Sequence, residues 1–243
     1  MTDASPCPIH QGGIIAAGLG SRLRADGIGV SKPMVRVAGR PLIEHTLDRF
    51  RAVGIRRLTV IINEESEDCR GWLEVNGRDL DLDLIVRTTP SSYASFRLVA
   101  DRLDRAPAVI TAIDTIMPMK DFHTYVMAAV SLPRDAVVLG VTDYVDDENP
   151  FWATVDAADG RVRKLGGDGG SHVTAGLYGL PALRPAEPNA GFLRLRDYLT
   201  WLVAEGRPVY AVVLPRVFDI DRARDIVAAE SVVLGSERRD IRL

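Results

Sequence analysis

The sequence predicts an α/β protein: a single domain with a mostly parallel mixed sheet and helices on both faces. Short, near-continuous apolar runs recur along the chain, among them "RRLTVIIN" (Arg56–Asn63) and "PAVITAID" (Pro107–Asp114). Segments of helical period separate them. Strands covered on both faces read as unbroken apolar runs rather than as alternation, and runs of this kind between helices indicate a parallel sheet. The 243 residues are enough to bury one full core.

The elements follow in order. Ile14–Ala17 reads as the first strand. "RPLIEHTLDRFRAVG" places Leu42, Ile43, Leu47 and Phe50 at helical spacing, with Pro41 in the first turn and Gly54 at the C-terminal end. After the strand Arg56–Asn63, a weaker helix is expected over Ser66–Val75. Next come a strand (Leu82–Thr88), a helix (Ser91–Leu103), the strand Pro107–Asp114, a helix (Phe122–Leu132) and a strand (Asp135–Asp143). The rhythm then changes. Phe151–Val155 and Arg161–Leu165 read as strands joined by an Asp-Gly-containing turn. "HVTAGLYGLP" is a further strand, followed by a helix over Gly191–Glu205, the strand "PVYAVVL" and a last helix in "DRARDIVAAE".

Composition narrows the class. Apolar residues make up 47% and charged residues 26%, mixed in sign, with a net charge of -3. No basic stripe suggests nucleic acid as a partner. No apolar run approaches the ~18 residues of a membrane span, and "MTDASPCPIHQ" has no signal-peptide core. Cys7 and Cys69 form neither a metal motif nor a disulfide framework, so a reducing cytoplasm is the expected setting.

"GGIIAAGLGSRL" carries the first chemical signal. Gly18 and Gly20 follow the first strand, where glycine lets backbone amides turn toward a phosphate. An ordinary turn is the alternative. Leu23 stands where a dinucleotide fingerprint needs glycine, and no Walker loop is present. Arg22 and Lys32 add a bidentate cation and a point charge, the combination a triphosphate needs. Asp114 sits at the C-terminal end of a strand, where the ligand crevice of such sheets lies. Asp219 and Asp221 share a face on an extended segment.

"AAGLGSRL…SKPMVRVAGRPLIEHTL" resembles the signature of the nucleotidyltransferase (nucleoside-diphosphate-sugar pyrophosphorylase-like) superfamily. The likeness is close over the first quarter of the chain and weaker beyond it. It implies a Rossmann-like fold and transfer of NMP from an NTP to a phosphorylated small molecule, with Mg²⁺ and release of pyrophosphate. By the resemblance, Ala16, Ala17, Gly18, Gly20 and Ser21 would wrap base, ribose and phosphates. Arg22 would grip the departing phosphates, and Lys32 would neutralise charge at the α-phosphate. Thr88 and Ser92 would read the nucleotide, although serines there equally suit helix capping. Asp114 would hold metal together with Asp219 or Asp221, an alternative left open. Gly176, Tyr178 and Lys164 would face the acceptor.

The resemblance divides the domain, residues 1–243, into a nucleotide part over about 12–145 and an acceptor and closing part over about 146–235. Sugar 1-phosphate is the default acceptor, with polyol, alkyl or aminoalcohol phosphates or a phosphonate as alternatives. CTP or UTP is favoured. A homodimer is an admissible assembly. A molybdopterin-type transferase and a nucleotide-binding regulatory module are the competing readings.

Overall fold

The computed structural model describes residues 9–145, 149–187 and 191–240; Cys7 and the first eight residues of the segment read for targeting lie outside them. The chain opens with β1 (Gln11–Ala16), a short helix α1 (Ser21–Ala25) and a 3-10 turn over Lys32–Met34. The ribbon of β2 (Arg36–Val37) and β3 (Arg40–Pro41) leads into α2 (Leu42–Ala52). There follow β4 (Arg57–Ile62), α3 (Glu67–Asn76), β5 (Asp81–Val86), α4 (Ser92–Arg102), β6 (Ala108–Ala112), β7 (Thr115–Ile116), α5 (Met119–Ser131) and β8 (Val137–Thr142). The remainder comprises β9 (Trp152–Val155), β10 (Val162–Leu165), β11 (His172–Leu180), α6 (Leu195–Ala204), β12 (Val209–Leu214), β13 (Phe218–Asp219) and α7 (Ala223–Asp240).

A 9-stranded sheet runs in the order β10-β9-β11-β6-β1-β4-β5, with β8 and then β12 joined to β11. The first four large strands are parallel to one another. β11 runs against β6, β8 and β9, and β10 runs against β9. All strands of this sheet except β10 and β11 therefore point one way.

Neighbouring residues of the central strands enter opposite cores. Val60, Val109 and Val138 pack on one face with Phe50, Phe122 and Tyr125 of α2 and α5. Ile61, Ile110 and Leu139 pack on the other with Phe96 and Val99 of α4 and Leu199 of α6. This two-sided burial is why the strand sequences are unbroken in their hydrophobicity.

The first strand begins earlier than expected because two glycines belong to it. A Cβ at Gly12 would lie 2.4 Å from Phe50 Cε1, and one at Gly13 would lie 2.3 Å from Val99 Cγ1. Glycine here lets α2 and α4 close onto the sheet, although it weakens the strand signal. Gly13→Ala is expected to destabilise the fold by about 1–3 kcal/mol through overpacking, read as a lowered Tm by calorimetry.

The helix expected over Gly191–Glu205 starts later, at Leu195. The Asp197 carboxylate accepts from the Arg194 amide at 3.0 Å, and Ser92 Oγ accepts from the Leu195 amide at 3.1 Å. These bonds set the first turn, which abuts the start of α4.

Candidate active site

A cavity of about 500 Å³ opens beyond the C-terminal ends of β1 and β6. Its wall includes Ala17, Gly18, Arg22, Lys32, Thr88, Ser92, Asp114, Gly176, Tyr178, Asp219 and Asp221. Residues far apart in sequence thus reach one crevice, where parallel α/β sheets place their ligands. Ala16, Gly20, Ser21 and Lys164 do not line it. Ala16 is buried in β1, and Ser21 opens α1. Gly20 has a φ of 61°, in the left-handed region, and a Cβ there would approach Lys32 Cβ to 3.2 Å. Lys164 lies exposed on β10, the end strand of the sheet's main path.

The segments after β6 and before α7 are stitched together by a two-residue ribbon. Asp219 pairs with Thr115, and the Ile220 amide donates to the Asp114 carbonyl at 3.0 Å. Asp225 accepts from the Asp221 and Arg222 amides at 2.9 and 2.7 Å, fixing the turn into α7. Arg222 donates to Asp26 at 3.1 Å and ties the start of α7 to the end of α1.

These constraints bring one ammonium between two carboxylates. Lys32 Nζ donates to Asp114 Oδ2 at 2.6 Å and to Asp221 Oδ1 at 2.7 Å. Arg22 Nη1 donates to the other oxygen of Asp221 at 3.0 Å. Burial pushes the Lys32 ammonium down, but Asp114 and Asp221 more than offset this and hold it above its ordinary value. Burial likewise pushes the Asp221 carboxyl up, yet Lys32 and Arg22 hold it below the usual carboxylate range. Burial, with the charges of Asp219 and Asp114, raises the Tyr178 hydroxyl, which stays a neutral donor.

The pH consequence has a definite sign. Asp221 contributes stability that is complete above its ordinary value of 3.8 and is lost as pH falls through its lowered one. Lys32 contributes below its ordinary 10.5 and loses this as pH rises through the raised value. The cluster is therefore insensitive to pH near neutrality. The cost of Asp221→Asn, measured by thermal melts, should be larger at about pH 7 than at about pH 3.

Two contributors are not among the residues expected from the sequence. Asn63, at the end of β4, donates to the Gly18 carbonyl at 3.1 Å and pins the glycine loop. Arg196, in the first turn of α6, lines the cavity with its guanidinium carbon 5.3 Å from the centre of the Phe151 ring. The position of Asn63 at a strand's carboxyl end was the available clue; Arg196 depends on how α6 packs. Ser91 is the N-cap of α4, accepting from the Ala94 amide at 3.1 Å. Ser92 both lines the cavity and braces α6.

Among the described residues, no three carboxylate, histidine or cysteine side chains converge. Asp114 and Asp221 do converge, on a point already held by a cation. Mg²⁺ is commonly bound through one or two carboxylates, with phosphate and water completing the set, so this hard-oxygen pair fits it.

By fold the chain is a Rossmann-like α/β protein. It matches the structure of the inositol-1-phosphate CTP transferase from T. maritima with a TM-score of 0.74, 18% identity, and coverage of 92% of this chain and 97% of that one. The chain belongs to the MobA-like NTP transferase domain family, whose model matches residues 12–178. Among curated relatives, CMP-5'-(3-aminopropyl)phosphonate synthase of Streptomyces rubellomurinus is 29% identical over 55% of this chain and 24% of its own length. Mannose-1-phosphate guanylyltransferase 1 of Arabidopsis thaliana is 26% identical over 93% of this chain and 65% of its own length. The chain thus spans less than two thirds of either relative. No described helix is long and apolar enough to cross a membrane.

Proposed function

We propose that the protein is an enzyme that transfers a nucleotidyl group from an NTP to a phosphorylated small molecule and releases pyrophosphate. The observation that carries this reading is the convergence of Gly18, Arg22, Lys32, Asp114 and Asp221 on one cavity. In the step we propose, an oxygen of the acceptor's phosphate or phosphonate attacks the α-phosphorus. The bond from that phosphorus to the β-bridging oxygen breaks, and its electrons leave with pyrophosphate. The acceptor brings its own nucleophile, so the protein positions groups and stabilises charge. Lys32 stabilises the α-phosphate and Arg22 the leaving pyrophosphate. Asp114 with Asp221 would hold Mg²⁺, which supplies Lewis-acid polarisation and charge neutralisation when bound.

Residues over about 12–145 take the nucleotide, with Thr88 and Ser92 toward the base and ribose. Residues over about 146–235 take the acceptor, with Gly176 and Tyr178 in its wall. CTP or UTP is the favoured donor. The names of the relatives support a sugar 1-phosphate or a phosphonate as acceptor. A cytoplasmic setting is part of the same reading.

We assign Arg196 to the acceptor's oxyanion. Arg196→Gln should raise the acceptor KM about tenfold or more and leave the NTP KM little changed, since a charge-assisted hydrogen bond is lost. Steady-state kinetics with each substrate varied in turn checks this. The function itself is tested by pyrophosphate release from each common NTP with Mg²⁺ and a panel of sugar phosphates, alkyl phosphates and phosphonates. Release that needs both an NTP and one acceptor supports it. No release from any pair contradicts it.

A further inference from the structure

Arg49 is a buried cation outside the cavity. It lies on α2 with 2% exposure, and burial pushes its guanidinium down to about 10, leaving it charged at neutral pH. No ion pair joins it to a carboxylate among the described residues, and its guanidinium carbon lies 5.9 Å from the centre of the Phe122 ring. Its Nη2 donates to Thr46 Oγ1 at 3.0 Å and to the Thr115 carbonyl at 2.9 Å. Nε and Nη1 are buried without partners. A charge taken out of water without a counter-charge is expensive, and so is each unmet donor. An apolar side chain of similar size would avoid both costs.

What the guanidinium holds is the junction of the acidic site. Thr115 follows Asp114 directly and pairs with Asp219 across the β7–β13 ribbon. The Asp114 carbonyl is tied to the Ile220 amide, one residue before Asp221. Thr115 Oγ1 packs under Gly176, where an added Cβ would lie 2.1 Å from it. α2 is a stiff support: Leu42, Ile43, Leu47 and Phe50 are fully buried, and Phe50 meets Phe122 edge to face at 5.2 Å.

We propose that Arg49 is a positioning residue: its charge-assisted bond to the Thr115 carbonyl sets the spacing of Asp114 and Asp221, and through it their affinity for a divalent cation. The inference rests on the nucleotide and metal reading above. The planar guanidinium reaches Thr46 and Thr115 from one nitrogen while its carbon stays over the Phe122 ring. A lysine keeps the charge and one bond, so it should serve in part.

The test titrates Mn²⁺ by electron paramagnetic resonance into wild type, Arg49→Met and Arg49→Lys, each with the α,β-methylene nucleoside triphosphate that wild type binds from a panel of these. Thermal melts and metal-free nucleotide titrations run beside it. Arg49→Met should need about tenfold or more Mn²⁺, as when a partner that orients a metal ligand is removed. Its metal-free nucleotide affinity should not change, and Arg49→Lys should recover part of the loss. Wild-type Mn²⁺ affinity in a folded Arg49→Met overturns the proposal, as does a loss that merely follows the unfolded fraction. If Arg49→Met does not fold, Arg49→Gln, which keeps a donor without the charge, takes its place under the same criteria. A wild type that binds neither Mn²⁺ nor any analogue removes the underlying reading, and this inference with it. Wild-type binding that is equal in every variant removes the inference alone.

Discussion

Lys32→Met is expected to lower kcat by about 10²–10³-fold, the usual loss when one preorganised group stabilising transition-state charge is removed. NTP KM should change far less, because the glycine loop and Arg22 remain. The same substitution leaves Asp114 and Asp221 facing one another without the ammonium that bonds both at 2.6 and 2.7 Å. Stability should fall by up to about 3 kcal/mol, less than for a fully buried pair because Asp221 is partly screened by water. Mg²⁺ without nucleotide should restore part of that stability in the variant, because a cation again fills the place between the carboxylates. Rapid-quench kinetics and melts with and without Mg²⁺ read these effects separately. A variant with wild-type turnover would remove Lys32 from the chemistry.

The second large effect separates two aspartates that the sequence left equivalent. Asp221 shares its carboxylate between Lys32 and Arg22 and faces Asp114 across the ammonium. Asp219 lies in the ribbon, opposite Thr115. Asp221→Asn should therefore lower kcat about 10²-fold or more and raise the Mg²⁺ requirement, as expected for a group acting on transition-state charge and on metal. Asp219→Asn should cost much less, through Tyr178 and the ribbon. Mg²⁺ titrations of turnover for both variants decide between them. Equal losses, or a larger loss for Asp219→Asn, would reverse the assignment.

Much of this arrangement was legible in the sequence because it depends on local chemistry. Val60 and Ile61, or Val109 and Ile110, enter opposite cores, so two-sided burial leaves a continuous apolar signature in each strand. The glycine loop, Arg22 and Lys32 lie within a short span and carry their spacing openly. Other features were hidden for definite reasons. Gly12 and Gly13 look like turn residues but are strand residues, needed because Phe50 and Val99 come so close. The β7–β13 ribbon has two residues on each side, too few for any periodicity, yet it registers Asp219 against Thr115 and brings Asp221 toward Asp114. Arg49 sits within the amphipathic pattern of α2 as an ordinary charged residue. Only the packing of α2 against Thr115 and Phe122 shows that it is buried. Lys164 had the residue type expected of an acceptor contact, but its strand carries it outside the cavity wall.

The most direct test of the central claim is a crystal structure of the protein with Mg²⁺ and an α,β-methylene nucleoside triphosphate. The account predicts the triphosphate along Gly18 with Arg22 and Lys32 on its oxygens, Lys32 withdrawn from at least one of its two carboxylates, and Asp114 and Asp221 on the metal. A nucleotide bound elsewhere, or bound in this cavity while Lys32 still bridges Asp114 and Asp221 and no metal touches either, would contradict it.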